Sequence, residues 1–289
     1  MTAIYRSARR DEIPTLAGIF LTGLADFLKS HGIPPASYAQ ADVERLYEHL
    51  FDTGIFEVAE LDGKVVGFAA GISRDELWFL SMFWFLPEHK LHGYGRPLIE
   101  HVWLIARSRG ATTFATWSSI DFTAVSAYLR LDLMPAGPIF TFAGPVLRVP
   151  IATEDVVVSP LDPVQASGID HIVRGTPRSP DHAFWQKRGV PGFLLEIAGR
   201  TAGYFYVENG NIGPAAWLDE ADGPALVTSA ILKAREQAPQ IKLIALGLNQ
   251  TALRAATAAG LKLISAAHFM RSESFGRLEQ YLPSGPGLF

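Results

Sequence analysis

The chain has 289 residues, 48% hydrophobic and 19% charged, with a net charge of −4 and no cysteine. That length suggests one large or two medium domains, and the apolar share is enough for a sizeable core. The acidic balance gives no electrostatic footprint for nucleic acid, and the missing cysteines exclude disulfides, thiolate metal sites and a cysteine nucleophile.

No apolar signal core follows Met1-Thr2-Ala3-Ile4-Tyr5-Arg6, and Arg9, Arg10 and Asp11 come close behind. The longest uncharged aromatic run, 77–87, is too short to span a bilayer and reads as a buried strand. A cytoplasmic protein without membrane contact is the expectation.

In chain order, the pattern predicts a strand at 4–7, helices at 13–30 and 41–51, and strands at 56–61, 64–73 and 76–86. A glycine-bearing turn, a helix at 97–109, a strand at 112–118, a helix at 123–131 and a strand at 139–146 complete this half. The second half reads as strands at 156–160, 193–197, 201–208 and 212–217, a helix at 224–238, a strand at 241–246, a helix at 250–259 and a strand at 262–270. No element is assigned between 160 and 193. The plan is mixed α/β and it repeats. Asp62-Gly63-Lys64-Val65-Val66-Gly67-Phe68 resembles Ala198-Gly199-Arg200-Thr201-Ala202-Gly203-Tyr204, 136 positions on, whereas Ala124 and Leu133 match Ala252 and Leu261 at 128. The second copy has therefore lost residues where the first carries its glycine turn. Gly144, Pro145 and Pro150 mark the expected boundary, giving domains 1–148 and 149–289.

That turn is Pro87-Glu88-His89-Lys90-Leu91-His92-Gly93-Tyr94-Gly95-Arg96-Pro97. Strand, glycine turn and helix start together build an anion site, because first-turn amides lack internal partners and the helix dipole favours negative charge. Gly93 and Gly95 allow close backbone approach, and Pro97 suits a first helical turn. A phosphate or pyrophosphate is the expected guest.

With Pro87-x-x-Lys90-x-x-Gly93-x-Gly95, the order of elements resembles the GCN5-related N-acetyltransferases, the GNAT superfamily. Their signature has Arg or Gln where Lys90 stands. Their second cue, Asn-x-x-Ala-x-x-x-Tyr-x-x-x-Gly-Phe, is met by Asp121-x-x-Ala124-x-x-x-Tyr128-x-x-x-Asp132-Leu133, in which only Ala124 and Tyr128 match. The second copy offers Asn249-x-x-Ala252-x-x-x-Ala256-x-x-x-Gly260-Leu261, without the tyrosine, and Trp217-Leu218-Asp219-Glu220-Ala221-Asp222-Gly223 replaces its glycine turn. Those carboxylates would repel a pyrophosphate. The resemblance implies two tandem GNAT-like acyl-CoA transferase domains of mixed α/β fold, the first competent and the second degenerate.

The resemblance further implies acetyl-CoA as co-substrate, in a cleft where the fourth and fifth strands splay, and no metal. Amides of Leu91, His92, Gly93, Tyr94, Gly95 and Arg96 would hold the pyrophosphate, with charge from Lys90, His92 and Arg96. Met82, Phe83, Trp84 and Phe85 would pair with the pantetheine arm, and Asp121 and Ala124 would lie on the cofactor. A primary amine of a small molecule would attack the thioester directly, Tyr128 stabilising the leaving thiolate. Glu76, His89 or water stays open as the base. A non-catalytic acyl-CoA-binding or regulatory module is the alternative, as is an unrelated α/β protein with a chance turn. Monomer and homodimer are both open.

Overall fold

The computed structural model describes residues 3–35, 38–151 and 155–289. They form two compact units, 1–114 and 115–289.

The first unit contains β1 (Ile4–Ser7), α1 (Ile13–Ser30), α2 (Gln40–Thr53), β2 (Gly54–Leu61), β3 (Lys64–Arg74), β4 (Leu77–Phe85) and α3 (Gly95–Ser108). α1 opens with Pro14 in its first turn and buries Leu16, Ala17, Ile19, Phe20 and Gly23, an amphipathic spacing. The strands pair antiparallel in the order β1-β2-β3-β4. Asp62 and Gly63 both take positive φ (50° and 75°), which makes the β2–β3 link the expected tight hairpin turn.

Pairing of β3 with β4 slips between Ala70 and Gly71, leaving Ser81 as an extra residue in β4. This bulge reverses the alternation of side chains. Trp78 faces α3, where it meets the Trp103 ring at 5.4 Å. Beyond the bulge the odd-numbered Phe83 and Phe85 take over that face, against Gly95. Trp84 turns to the opposite face and meets Phe20 of α1 edge-on at 5.2 Å. On that second face Tyr47 of α2 packs on Phe56 and Phe68. The sheet is thus covered by helices on both sides, which explains the nearly continuous apolar run of β4.

The second unit begins in β5 (Thr113–Ser118), of which 115–118 belong to it. Then come α4 (Phe122–Leu129), β6 (Met134–Gly144), β7 (Val156–Pro160), α5 (Pro163–Val173), α6 (Ser179–Lys187), β8 (Gly192–Ile197), β9 (Arg200–Glu208), β10 (Asn211–Trp217), α7 (Gly223–Gln237), β11 (Ile241–Leu246), α8 (Gln250–Ala258), β12 (Lys262–Arg271) and β13 (Tyr281–Leu282). The strands run in the order β5-β12-β6-β11-β10-β9-β8-β7, with β13 added to β10. Leu195, Phe205, Trp217, Leu226, Ile231, Leu243 and Leu282 lie in its apolar core.

β6 lies between β12 and β11, and β12 lies between β5 and β6. Each sequence copy therefore lends its last strand to the other's sheet. Residues 115–144 are bound into this ladder, so the compact units part after Phe114 and not at the repeat boundary 148/149. The helices α5 and α6 fill the stretch to which the pattern assigns nothing. Among the described residues no helix is long and apolar enough to cross a membrane.

Candidate active site

In the first unit, β4 ends at Phe85 and a 3-10 turn, Pro87–His89, leads into the glycine loop. Leu91 and Gly93 take positive φ, 63° and 85°. Leu91 pays a steric cost there that glycine avoids. No hydrogen bond from the amides of Leu91 to Arg96 to the protein is found among the described residues. These donors precede or begin α3, an arrangement that suits an anion.

The two glycines differ in role. A β-carbon at Gly93 would meet nothing within 4 Å, so this position needs glycine for its torsion alone. A β-carbon at Gly95 would stand 3.1 Å from Phe83 Cζ, so this one lets the helix start lie close on β4. Tyr5 Oη donates to the Tyr94 carbonyl at 3.1 Å, and the rings of His92 and Tyr94 stack 6.1 Å apart, fixing the loop from the N-terminal strand inward.

The charged residues of the loop have partners of their own. Lys90 Nζ bonds Asp26 Oδ2 on α1 at 2.7 Å, and Arg96 Nε bonds Glu100 Oε1 at 2.7 Å. His92 Nδ1 lies 2.8 Å from the Lys90 carbonyl and its side chain is exposed. The loop's anion-binding capacity therefore rests first on its amides. Met82 and Phe85 are buried, and Phe83 and Trp84 are half-buried.

One expectation is corrected. Glu76 does not sit on the fourth strand. It is exposed in the turn between β3 and β4, where its carbonyl accepts from the Thr112 and Thr113 amides. It stands at the far end of β4 from the glycine loop, about 30 Å along a nine-residue strand.

In the second unit, Asp121 caps α4, its carboxylate accepting from the Thr123 amide at 2.8 Å. Ala124 is half-buried one turn from the cap. Tyr128 is buried on the same helix. Its phenol is pushed well up by burial and by the charge of Asp121, against a hydrogen bond with Thr116 that acts the other way. Tyr128 is thus a neutral hydroxyl throughout the ordinary pH range.

Two residues escape the sequence pattern. Ser81, at the bulge, buries a hydroxyl that has no hydrogen-bond partner among the described residues. It is the one hydroxyl in an otherwise apolar run, which is the signal that marks it. Thr116, the partner of Tyr128, carries no such mark. In the second copy Asp219 takes the place of the glycine turn, its carboxylate accepting from the Ala221 amide at 3.1 Å, and Asp222 is held by Arg200 at 2.6 and 2.7 Å. One carboxylate there thus takes a turn amide and the other pairs with a guanidinium.

Residues 24–132, which span α2 to α4 with the glycine loop and Tyr128, match the model of the acetyltransferase (GNAT) family. That stretch is similar to the GNAT family. GNAT proteins are acyltransferases that use acetyl-CoA. No curated protein matches the chain. Among solved structures, a candidate acetyltransferase from Pyrococcus horikoshii is 18% identical with a TM-score of 0.78, the match covering 99% of this chain and 96% of that one. A GCN5-related N-acetyltransferase from Sphaerobacter thermophilus is 17% identical with a TM-score of 0.63, covering 93% and 95%. A tandem GNAT protein from the clavulanic acid biosynthesis pathway is 14% identical with a TM-score of 0.62, covering 93% and 98%. At such identities the likeness is one of fold. Two GNAT-like domains in tandem account for its extent.

Proposed function

We propose that the protein transfers an acetyl group from acetyl-CoA to a primary amine of a small molecule, by direct attack in a ternary complex. The observation that carries this reading is the loop from Leu91 to Arg96, with uncommitted amides, two positive-φ residues and a glycine pressed on Phe83. Those amides hold the pyrophosphate, and the edge of β4 beyond its bulge supports the pantetheine arm.

The thioester supplies the acyl group, and its sulfur leaves as thiolate. Tyr128 donates a hydrogen bond to that sulfur. A thiol titrates near ~8.5 and a free phenol near ~10. With the phenol raised further by burial, full proton transfer to the thiolate runs uphill. The hydroxyl therefore stabilises the thiolate, and water delivers the proton. The amine must attack as the free base, and water carries its proton away, with proximity supplying much of the rate.

A second reading has one observation behind it. Tyr128 is enclosed and engaged with Thr116, as a tyrosine that only packs would be. The chain would then bind acyl-CoA without turning it over.

Calorimetry with acetyl-CoA separates these readings from failure. Binding by the wild type that is lost in Gly93→Glu supports the loop assignment, and turnover in an amine screen then decides between enzyme and binding module. A wild type that does not bind acetyl-CoA ends both.

A further inference from the structure

β10 is the fourth strand of the second copy, and its two edges are used differently. Along one edge it pairs with β9 from Asn211 to Trp217. Along the other it changes partner. Asn211 and Ile212 pair in parallel with Lys242 and Leu243 of β11. Ala215 and Ala216 pair antiparallel with Leu282 and Tyr281 of β13. Between these stretches the strand is irregular, its register slipping between Ile212 and Ala215. β11 continues its pairing with β6 as far as Leu246, and β13 lies against β11 as well. The fourth and fifth strands of this copy thus diverge, and the chain's own segment 278–289 fills the opening.

The segment is tightly engaged there. Asn249, the asparagine of the second copy's motif, donates from Nδ2 to the Tyr281 carbonyl at 3.0 Å while its Oδ1 caps α8. Gln280 Nε2 donates to the Trp217 carbonyl at 3.3 Å. A β-carbon on Gly213 would come within 2.5 Å of the Pro283 carbonyl oxygen, so that glycine permits the close approach. Further on, Leu288 and Phe289 are buried, and Phe289 stacks on Phe269 at 4.9 Å. The Phe289 backbone oxygen accepts from Arg174 Nε and Arg178 Nη1, both at 3.1 Å. Those guanidinium groups are fully buried, and Arg178 is balanced by Asp170 at 2.6 Å.

We infer that the gap between β10 and β11 is a strand-accepting slot whose resident occupant is segment 278–289, which closes the second copy to acyl-CoA. An extended ligand entering there would need the edge of β10 that β13 already uses. It would also need an anion cradle at the start of α7, where Asp219 and Asp222 stand instead. The count that follows, one acyl-CoA per chain, rests on the acetyl-CoA reading above; the occupancy of the slot rests on the hydrogen bonds just described.

Hydrogen exchange on the full chain, read by mass spectrometry with and without acetyl-CoA, tests both parts, alongside calorimetric stoichiometry. The amides of 278–289 should exchange slowly in both states, residues 90–96 should gain protection with ligand, and one molecule should bind. In Asn249→Ser, serine keeps a helix cap but cannot reach Tyr281. Exchange in 278–289 should then rise at least about fivefold, the worth of one hydrogen bond, with residues 90–96 unaffected. Fast exchange of 278–289 in the unliganded wild type overturns the inference, as does loss of its protection on adding acetyl-CoA, or a stoichiometry of two. If acetyl-CoA does not bind at all, the proposed function fails, and slow exchange of 278–289 in the free protein still upholds the slot.

Discussion

Lys90 Nζ stands 2.7 Å from Asp26 Oδ2, so the first cation of the glycine loop is tied to α1. The pair is partly exposed, and such pairs are worth at most ~1 kcal/mol. Asp26→Asn should release Lys90 toward a bound pyrophosphate and raise acetyl-CoA affinity by up to about fivefold, most visibly at low salt. Lys90→Gln should leave affinity close to wild type. A tenfold loss in Lys90→Gln would show that the lysine leaves Asp26 to hold phosphate.

Gly95 is a question of space. Gly95→Val puts atoms where Phe83 already lies at 3.1 Å from the modest β-carbon position. Either the ring gives way or the first turn of α3 lifts from β4, and both disturb the amides. Acetyl-CoA affinity should fall tenfold or more while the melting temperature falls by a few degrees, about 1–3 kcal/mol for overpacking. Calorimetry and thermal denaturation on the same sample check this, and unaltered affinity would remove Gly95 from the site.

Tyr128→Phe removes a hydroxyl and little volume. If that hydroxyl steadies the departing sulfur, kcat should drop about 10- to 100-fold, the worth of one hydrogen bond to a charged group, with acetyl-CoA affinity nearly constant. Because burial keeps the phenol neutral, no loss of activity from Tyr128 ionisation should appear near pH 10, where a free tyrosine titrates. Equal turnover by both proteins favours the non-catalytic reading.

The buried polar hub of the second unit gives the protein a pH signature. Asp170 accepts from Arg178 Nε, Tyr204 Oη and His182 Nε2 at 2.6, 2.6 and 2.7 Å. Burial alone would raise the Asp170 carboxyl, but Arg178 and His182 outweigh it and hold it below its usual range. Burial lowers His182, and Asp170 offsets this only in part. His182 is then neutral, donating from Nε2 to Asp170 and accepting at Nδ1 from Tyr206 Oη. A histidine lowered in the fold gives stability that is complete above its unfolded value, ~6.5, and declines as pH falls through the folded one. Buried Tyr204, Tyr206 and Tyr281 are raised, chiefly by burial, so their contribution is complete below ~10 and declines above it. Stability by urea unfolding should therefore plateau between these limits, and the first acid decline should flatten in His182→Gln.

Asp170→Ala strands Arg178 in the interior. Loss of one partner of a buried pair costs about 3–5 kcal/mol. Urea unfolding should register that loss, with exchange quickening in 278–289 through the Arg178 link to Phe289. A cost under ~1 kcal/mol would mean that water reaches the hub.

The regular elements of the first unit were legible because each signal is local. The amphipathic spacing of α1, the Asp62-Gly63 hairpin and the apolar run of β4 need no distant partner. The glycine loop was legible for the same reason. Glu76 misled because a strand end and a hairpin turn differ by one residue. The stretch 161–191 hid two helices because charged residues are buried on them and at their ends: Asp170, Asp181 and His182 in the helices, Arg174 and Arg178 flanking them, are all fully buried. Pro163, Gly168, Pro177 and Pro180 add the look of a loop. The place of β12 between β5 and β6 depends on pairings more than a hundred residues apart, for which no local pattern exists.

The lending of β6 and β12 has a consequence for heredity. A gene cut after codon 148 would encode a product whose β6 lacks both neighbouring strands, each edge open to aggregation. Neither repeat can be shed, shuffled or replaced singly without taking a strand from its sibling. Whatever the second copy binds, the strand it supplies is enough to keep it in the chain.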